Sequence, residues 1–109
     1  MLGLISAPAA AGESTKTFEI TIKNGRVVGE KSARVSKGDT VILRWSSDKA
    51  LRLHLHGYGI EIAVTPAAPA EMKFLARATG RYPVEIHTES EPARGRGHTP
   101  IFHLDVYPD

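Results

Sequence analysis

Apolar and polar residues alternate along this chain in short runs that recur about every ten positions. Phe18, Ile20 and Ile22 are separated by Glu19 and Thr21, and Val41, Leu43 and Trp45 by Ile42 and Arg44. Leu51, Leu53 and Leu55 alternate with Arg52, His54 and His56. A period of two belongs to a β-strand, whose successive side chains leave opposite faces. The pattern continues through Ile60, Ile62 and Val64, through Met72 and Phe74, through Tyr82, Val84 and Ile86, and ends with Phe102, Leu104 and Val106. Asn24-Gly25 offers the positive-φ pair of a type I′ hairpin turn leading into Arg26–Val28, and Lys37-Gly38-Asp39 turns the chain toward Val41. No segment sustains a helical period, although one short helical turn would fit residues 66–71. Seven or eight strands, each with one apolar face, bury those faces most simply in two packed sheets. The expectation is an all-β, antiparallel sandwich.

Length agrees with one domain. At 109 residues, 41% hydrophobic and 24% charged, the chain has the make-up of a single globular core. A formal charge of +2 is weak, and apart from Arg94 and Arg96 the basic residues are spread through the predicted strands. Nucleic-acid binders concentrate positive charge on one face, so no nucleic-acid partner is expected. The chain has no cysteine, which removes disulfides, thiolate-ligated zinc, iron–sulfur clusters and thiol nucleophiles.

Residues 1–12, MLGLISAPAAAG, are a short apolar run followed by small residues. Ala7-Pro8-Ala9 and Ala9-Ala10-Ala11 both have the small-x-small form cleaved by a signal peptidase, without the cationic start and long apolar core of a complete signal. The expectation is a truncated signal peptide over 1–12, a mature domain over 13–109, and a periplasmic or secreted location. No stretch is long enough to be a transmembrane segment.

The five histidines are the chemistry worth weighing. His54 and His56 lie two apart on a predicted strand, so their side chains leave one face with backbones ~7 Å apart. They could converge on an ion if the strand ends there, and Gly57 directly follows. His87 closes the Tyr82–Ile86 strand. His98 sits in the polar run 88–100, TESEPARGRGHTP, which is too long for a tight hairpin; loops of that length in a compact domain are often functional. His103 falls opposite the core face of the last strand. Imidazole suits copper, zinc, nickel and iron alike. Strand alternation alone would equally put His54 and His56 on a solvent face. Glu61 and Glu85 are strand carboxylates that could orient a histidine. Ser46-Ser47-Asp48 reads as turn chemistry rather than as a nucleophile.

The run Val35-Ser36-Lys37-Gly38-Asp39-Thr40-Val41, followed by Leu43-Arg44-Trp45-Ser46-Ser47-Asp48, resembles the strand–turn pair of cupredoxins. Gly80-Arg81-Tyr82-Pro83-Val84-Glu85-Ile86-His87 resembles their penultimate strand, and Leu104-Asp105-Val106-Tyr107-Pro108 their closing strand. The resemblance spans roughly residues 17–109 and implies a Greek-key β-sandwich of cupredoxin type. His54-Leu55-His56-Gly57-Tyr58 is most similar to a cysteine-free bacterial subgroup with a His-x-His-Gly-Tyr segment, whose acidic residue after the tyrosine is here Gly59. Ile86 or His87 stands where a cupredoxin has its cysteine. A blue centre needs a copper–thiolate bond, so electron transfer of the usual cupredoxin kind is not expected. What the resemblance implies instead is copper at an imidazole site of His54, His56 and His87, completed by His98 or water. Zinc is an alternative metal, and the role would be copper binding or delivery, with a periplasmic protein as partner. Two other readings stay open: a metal-free sandwich used for protein interaction, and a small mononuclear-metal enzyme.

Overall fold

The computed structural model describes residues 14–87 and 100–108, and within them the chain forms nine strands and no helix. In order these are β1 (Thr15–Lys23), β2 (Arg26–Val28), β3 (Ser32–Ser36), β4 (Thr40–Ser47), β5 (Leu51–Leu55), β6 (Ile60–Val64), β7 (Ala70–Leu75), β8 (Gly80–His87) and β9 (Pro100–Tyr107). They make a four-stranded sheet, β2-β1-β4-β7, and a five-stranded sheet, β3-β9-β8-β5-β6.

The all-β sandwich stands, with two differences from the sequence reading. The strand beyond the expected eight is β3, where only Ala33 and Val35 are apolar, too short an alternation to stand out. The sheets are also mixed rather than antiparallel: β1 pairs parallel with β4, and β3 parallel with β9. Alternation reports which face a residue occupies but not the direction of the neighbouring strand. Parallel neighbours need a long crossover, and here the chain visits the opposite sheet between β1 and β4 by way of β3. The helical turn considered for 66–71 does not form. Thr65 and Ala68 bridge each other, and β7 begins at Ala70.

Alternation becomes packing in a direct way. Ile20, Ile22, Leu43 and Trp45 from one sheet meet Leu53, Leu55, Val84 and Leu104 from the other, all buried. The Trp45 and Phe102 rings cross edge to face at 5.3 Å between centroids, tying β4 to β9. Met72 is buried in this core, as its pattern required. Asn24 and Gly25 have φ of 50° and 78°, the backbone of the expected hairpin turn.

The Lys37-Gly38-Asp39 turn carries the principal buried charge. Asp39 is 2% exposed, and its carboxylate accepts from the Ser36 N–H at 2.8 Å, the Lys16 ammonium at 2.9 Å and the Ser14 hydroxyl at 3.0 Å. Burial pushes its pKa up, but the Ser36 N–H, Lys16 and Ser14 outweigh that and hold it below the ordinary carboxylate value. The turn is thereby fastened to the start of β1. The opposite sheet supplies a different kind of polar cluster.

Candidate metal centre

Three histidines meet on the outer face of the five-stranded sheet. His54 lies on β5 between two carboxylates, opposite Glu61 of β6 on one side and Glu85 of β8 on the other. His87 ends β8 opposite Arg52, diagonal to His54. His56 is the first residue past β5, which ends at Leu55. The imidazole donor atoms of His54, His56 and His87 all lie within 4.8 Å of one another. The His54 ring centroid is 4.2 Å from that of His56 and 5.3 Å from that of His87.

The strand ending anticipated at Gly57 is what allows this. Gly57 has φ of 90°, a backbone that L side chains rarely adopt. A Cβ there would also overlap the Tyr82 ring. The chain therefore turns at once, and His56 is held against β8 by its backbone N–H, which donates to the Pro83 carbonyl at 3.0 Å. Its side chain is held as well: Nε2 lies within hydrogen-bonding distance of Glu85 Oε1, at 2.9 Å.

The electrostatics favour neutral imidazole at His54. Burial lowers its pKa first, His56 and His87 lower it further, and Glu61 and Glu85 oppose the shift without reversing it. An unprotonated ring is the form that ligates a metal. His54 Nδ1 is buried and has no hydrogen-bond partner among the described residues. Trp45 Nε1 shares that condition, but among the described residues only His54 lies in a metal-ligand cluster with two other imidazoles. A buried acceptor without a partner costs about 1–3 kcal/mol, and a bound cation would remove that cost. Donor type, convergence and the orphaned nitrogen all fit a metal ion.

Not every candidate joins the cluster. His103, on β9, is not among the converging groups, and its backbone N–H donates to the Lys31 carbonyl. His98 lies outside the described residues, as do residues 1–12. Of the two residues that could stand at the cysteine position, Ile86 packs against the core while His87 turns to the cluster. Glu85 does touch a histidine. Glu61 faces His54 across the strands and pairs with Arg52 at 3.3 Å. Sequence reading missed the support beneath His56, an aromatic group in which Tyr58 meets Phe74 at 4.8 Å and Tyr82 at 4.9 Å. Only the Gly57-Tyr58 pair hinted at it, because ring-on-glycine packing between distant strands leaves no local pattern.

Solved structures share this architecture. In a heme-copper terminal oxidase studied by cryo-electron microscopy, 84% of this chain matches 64% of the other at a TM-score of 0.64 and 18% identity. A blue copper oxidase from Nitrosomonas europaea matches over 87% of this chain and 39% of its own, at a TM-score of 0.62 and 19% identity. The multicopper oxidase mgLAC matches over 89% of this chain and 39% of its own, at a TM-score of 0.55 and 18% identity.

The fold is cupredoxin-like.

The chain spans less than two thirds of the length of each of these proteins, and at such identities the fold is what they share. No family profile and no curated protein matches the sequence. Within a cupredoxin-like sandwich, the absence of cysteine is a fact of the sequence. A thiolate-bound blue centre is therefore excluded, and nitrogen donors are what the site offers.

Proposed function

We propose that this cupredoxin-like domain binds copper through His54, His56 and His87 and serves in copper binding or delivery rather than thiolate-mediated electron transfer. The observation that carries the reading is the convergence of three imidazoles, one of which has a buried nitrogen with no partner among the described residues. All-nitrogen donors accept Cu(II) and Zn(II), and the general affinity order favours Cu(II) over Zn(II) at such a site. The chain's own residues do the preparatory work: β5 and β8 fix two rings, the Gly57 turn brings in the third, and burial keeps His54 unprotonated. Bound copper would supply the ligand-exchange chemistry that transfer to another protein needs. That all three structural neighbours are named for copper supports the choice of metal.

The fourth position falls to His98 or to water in this reading. The small-residue run over 1–12 supports export to the periplasm, where 13–109 would be the working domain and the recipient or donor of copper a periplasmic protein. Among the described residues no helix is long and apolar enough to cross a membrane.

Titration with Cu(II), followed by electron spin resonance, tests the proposal. One equivalent should give a nitrogen-ligated signal that His54→Ala and His87→Ala abolish and that excess Zn(II) displaces only weakly. A protein that takes up no stoichiometric copper, and whose melting temperature ignores chelators and added metal alike, would be the metal-free interaction module instead.

A further inference from the structure

Of the three histidines, His56 is the one whose ring no strand fixes. It stands past the end of β5, at the head of a glycine turn, with its side chain 40% exposed. His54 and His87, by contrast, are strand residues in register. Something must hold the His56 ring toward its neighbours, and β8 supplies it. Pro83 accepts the His56 backbone N–H, Tyr82 lies across Gly57, and Glu85 Oε1 stands 2.9 Å from the ring Nε2.

Glu85 is suited to this in three respects. Its side chain is only 14% exposed, so the hydrogen bond is screened little by water. Its place is fixed by two neighbours: it pairs with His54 on β5 and with Pro100 on β9. The register shifts between Val84 and Glu85 leave Ile101 as the extra residue on β9, and such a bulge re-aims side chains locally. Finally, its carboxylate is not one of the groups whose donor atoms converge. It touches the cluster from outside, through His56.

We propose that Glu85 is the positioning residue of the site: by accepting the Nε2–H it sets the tautomer of His56 and leaves Nδ1 as the nitrogen that would ligate a metal. A hydrogen bond to one ring nitrogen decides which nitrogen carries the proton, and losing such a partner typically weakens metal binding about 10–100-fold. The binding half of this inference rests on the copper reading; the tautomer half does not.

The experiment has two arms. In the metal-free protein, long-range nitrogen–proton NMR should show His56 protonated at Nε2. Glu85→Ala should relax it toward the tautomer mixture of free histidine, while Glu85→Gln, which keeps an acceptor oxygen, should largely retain the wild-type form. A His56 signal that is the same in wild type and Glu85→Ala, or that carries its proton on Nδ1 in wild type, overturns the proposal. In the second arm, Cu(II) affinity should fall about 10–100-fold in Glu85→Ala with one ion still bound. It should fall no further when Glu85→Ala is added to His56→Ala, since Glu85 acts through that ring. An additive loss in the double variant refutes positioning. If the wild-type protein binds no copper, the metal reading fails and the NMR arm still decides the role of Glu85.

Discussion

Asp39 and His54 are two polar side chains drawn into the same sandwich, and they are treated in opposite ways. Asp39 lies at the turn between β3 and β4 and receives hydrogen bonds from Ser36, Lys16 and Ser14. His54 lies on β5, between β8 and β6 of the five-stranded sheet, and its buried Nδ1 has no partner among the described residues. The first is a closed arrangement in which every polar partner comes from the chain. In the second, three imidazoles converge, and no described residue satisfies the buried nitrogen of one of them. Folding alone accounts for the Asp39 arrangement. The His54 arrangement is the one that the proposed metal would complete.

The largest separation between the two should come from replacing each. His54→Leu removes a donor from the cluster, and Cu(II) affinity should fall more than 100-fold, beyond the range typical of losing an outer partner. The metal-free variant should be as stable as wild type or slightly more so, because an unpartnered polar atom is exchanged for an apolar one. In wild type, Cu(II) at 100 times its dissociation constant should add about 2.7 kcal/mol of stability, and His54→Leu should abolish that gain. Calorimetric melts with and without metal measure both quantities. If His54→Leu were strongly destabilising without metal, the contrast with Asp39 would collapse.

Asp39→Ala should do the reverse. It strands the Ser36 N–H and the Lys16 ammonium together, at a cost of about 2–3 kcal/mol, while the histidines keep their copper. Urea denaturation with the midpoint converted to free energy reads the loss.

The pH dependence of stability sharpens the same point. The folded pKa of Asp39 lies below its ordinary value of 3.8, so the unfolded chain binds the proton more readily. The contribution is therefore fully present well above pH 3.8 and is lost as pH falls from about 4 through the lower folded pKa. Asp39→Asn should flatten that acid part of the curve and leave stability at neutral pH lower. An unchanged acid slope in the variant would mean that Asp39 is not the group responsible.

How much of this contrast the sequence carries follows from what local pattern can encode. The core was legible: Ile20, Leu43, Leu53, Val84 and Leu104 all lie where alternation put them. So was the meeting of His54 with His56, because spacing by two and a following glycine are local facts. The convergence of His87 was only a family expectation, since it depends on the β5–β8 register, which pairs Arg52 with His87 and which no short-range signal specifies. Asp39 looked like a turn residue and nothing more. Its partners Ser14 and Lys16 are 25 and 23 positions away and reach it only because β1 runs parallel to β4, the pairing direction that alternation cannot report. The Gly57–Tyr82 contact was hidden because it depends on the β5–β8 register.

The smallest effect belongs to the outer face of the four-stranded sheet, a third polar cluster that marks the lower limit of the scale. Arg44 donates to Glu71 at 2.9 Å and to Glu19 at 3.2 Å, linking β4 to both neighbours. The geometry is as good as that around Asp39, but these side chains are about half or more exposed, with Glu19 at 73%. Water competes for every one of these hydrogen bonds, and exposed ion pairs contribute about 0–1 kcal/mol. Arg44→Ala should accordingly shift the urea midpoint very little, and the shift should shrink further in 0.5 M salt. A loss as large as that of Asp39→Ala would show that burial is not what separates these clusters, and the comparison between Asp39 and His54 would then need a different basis.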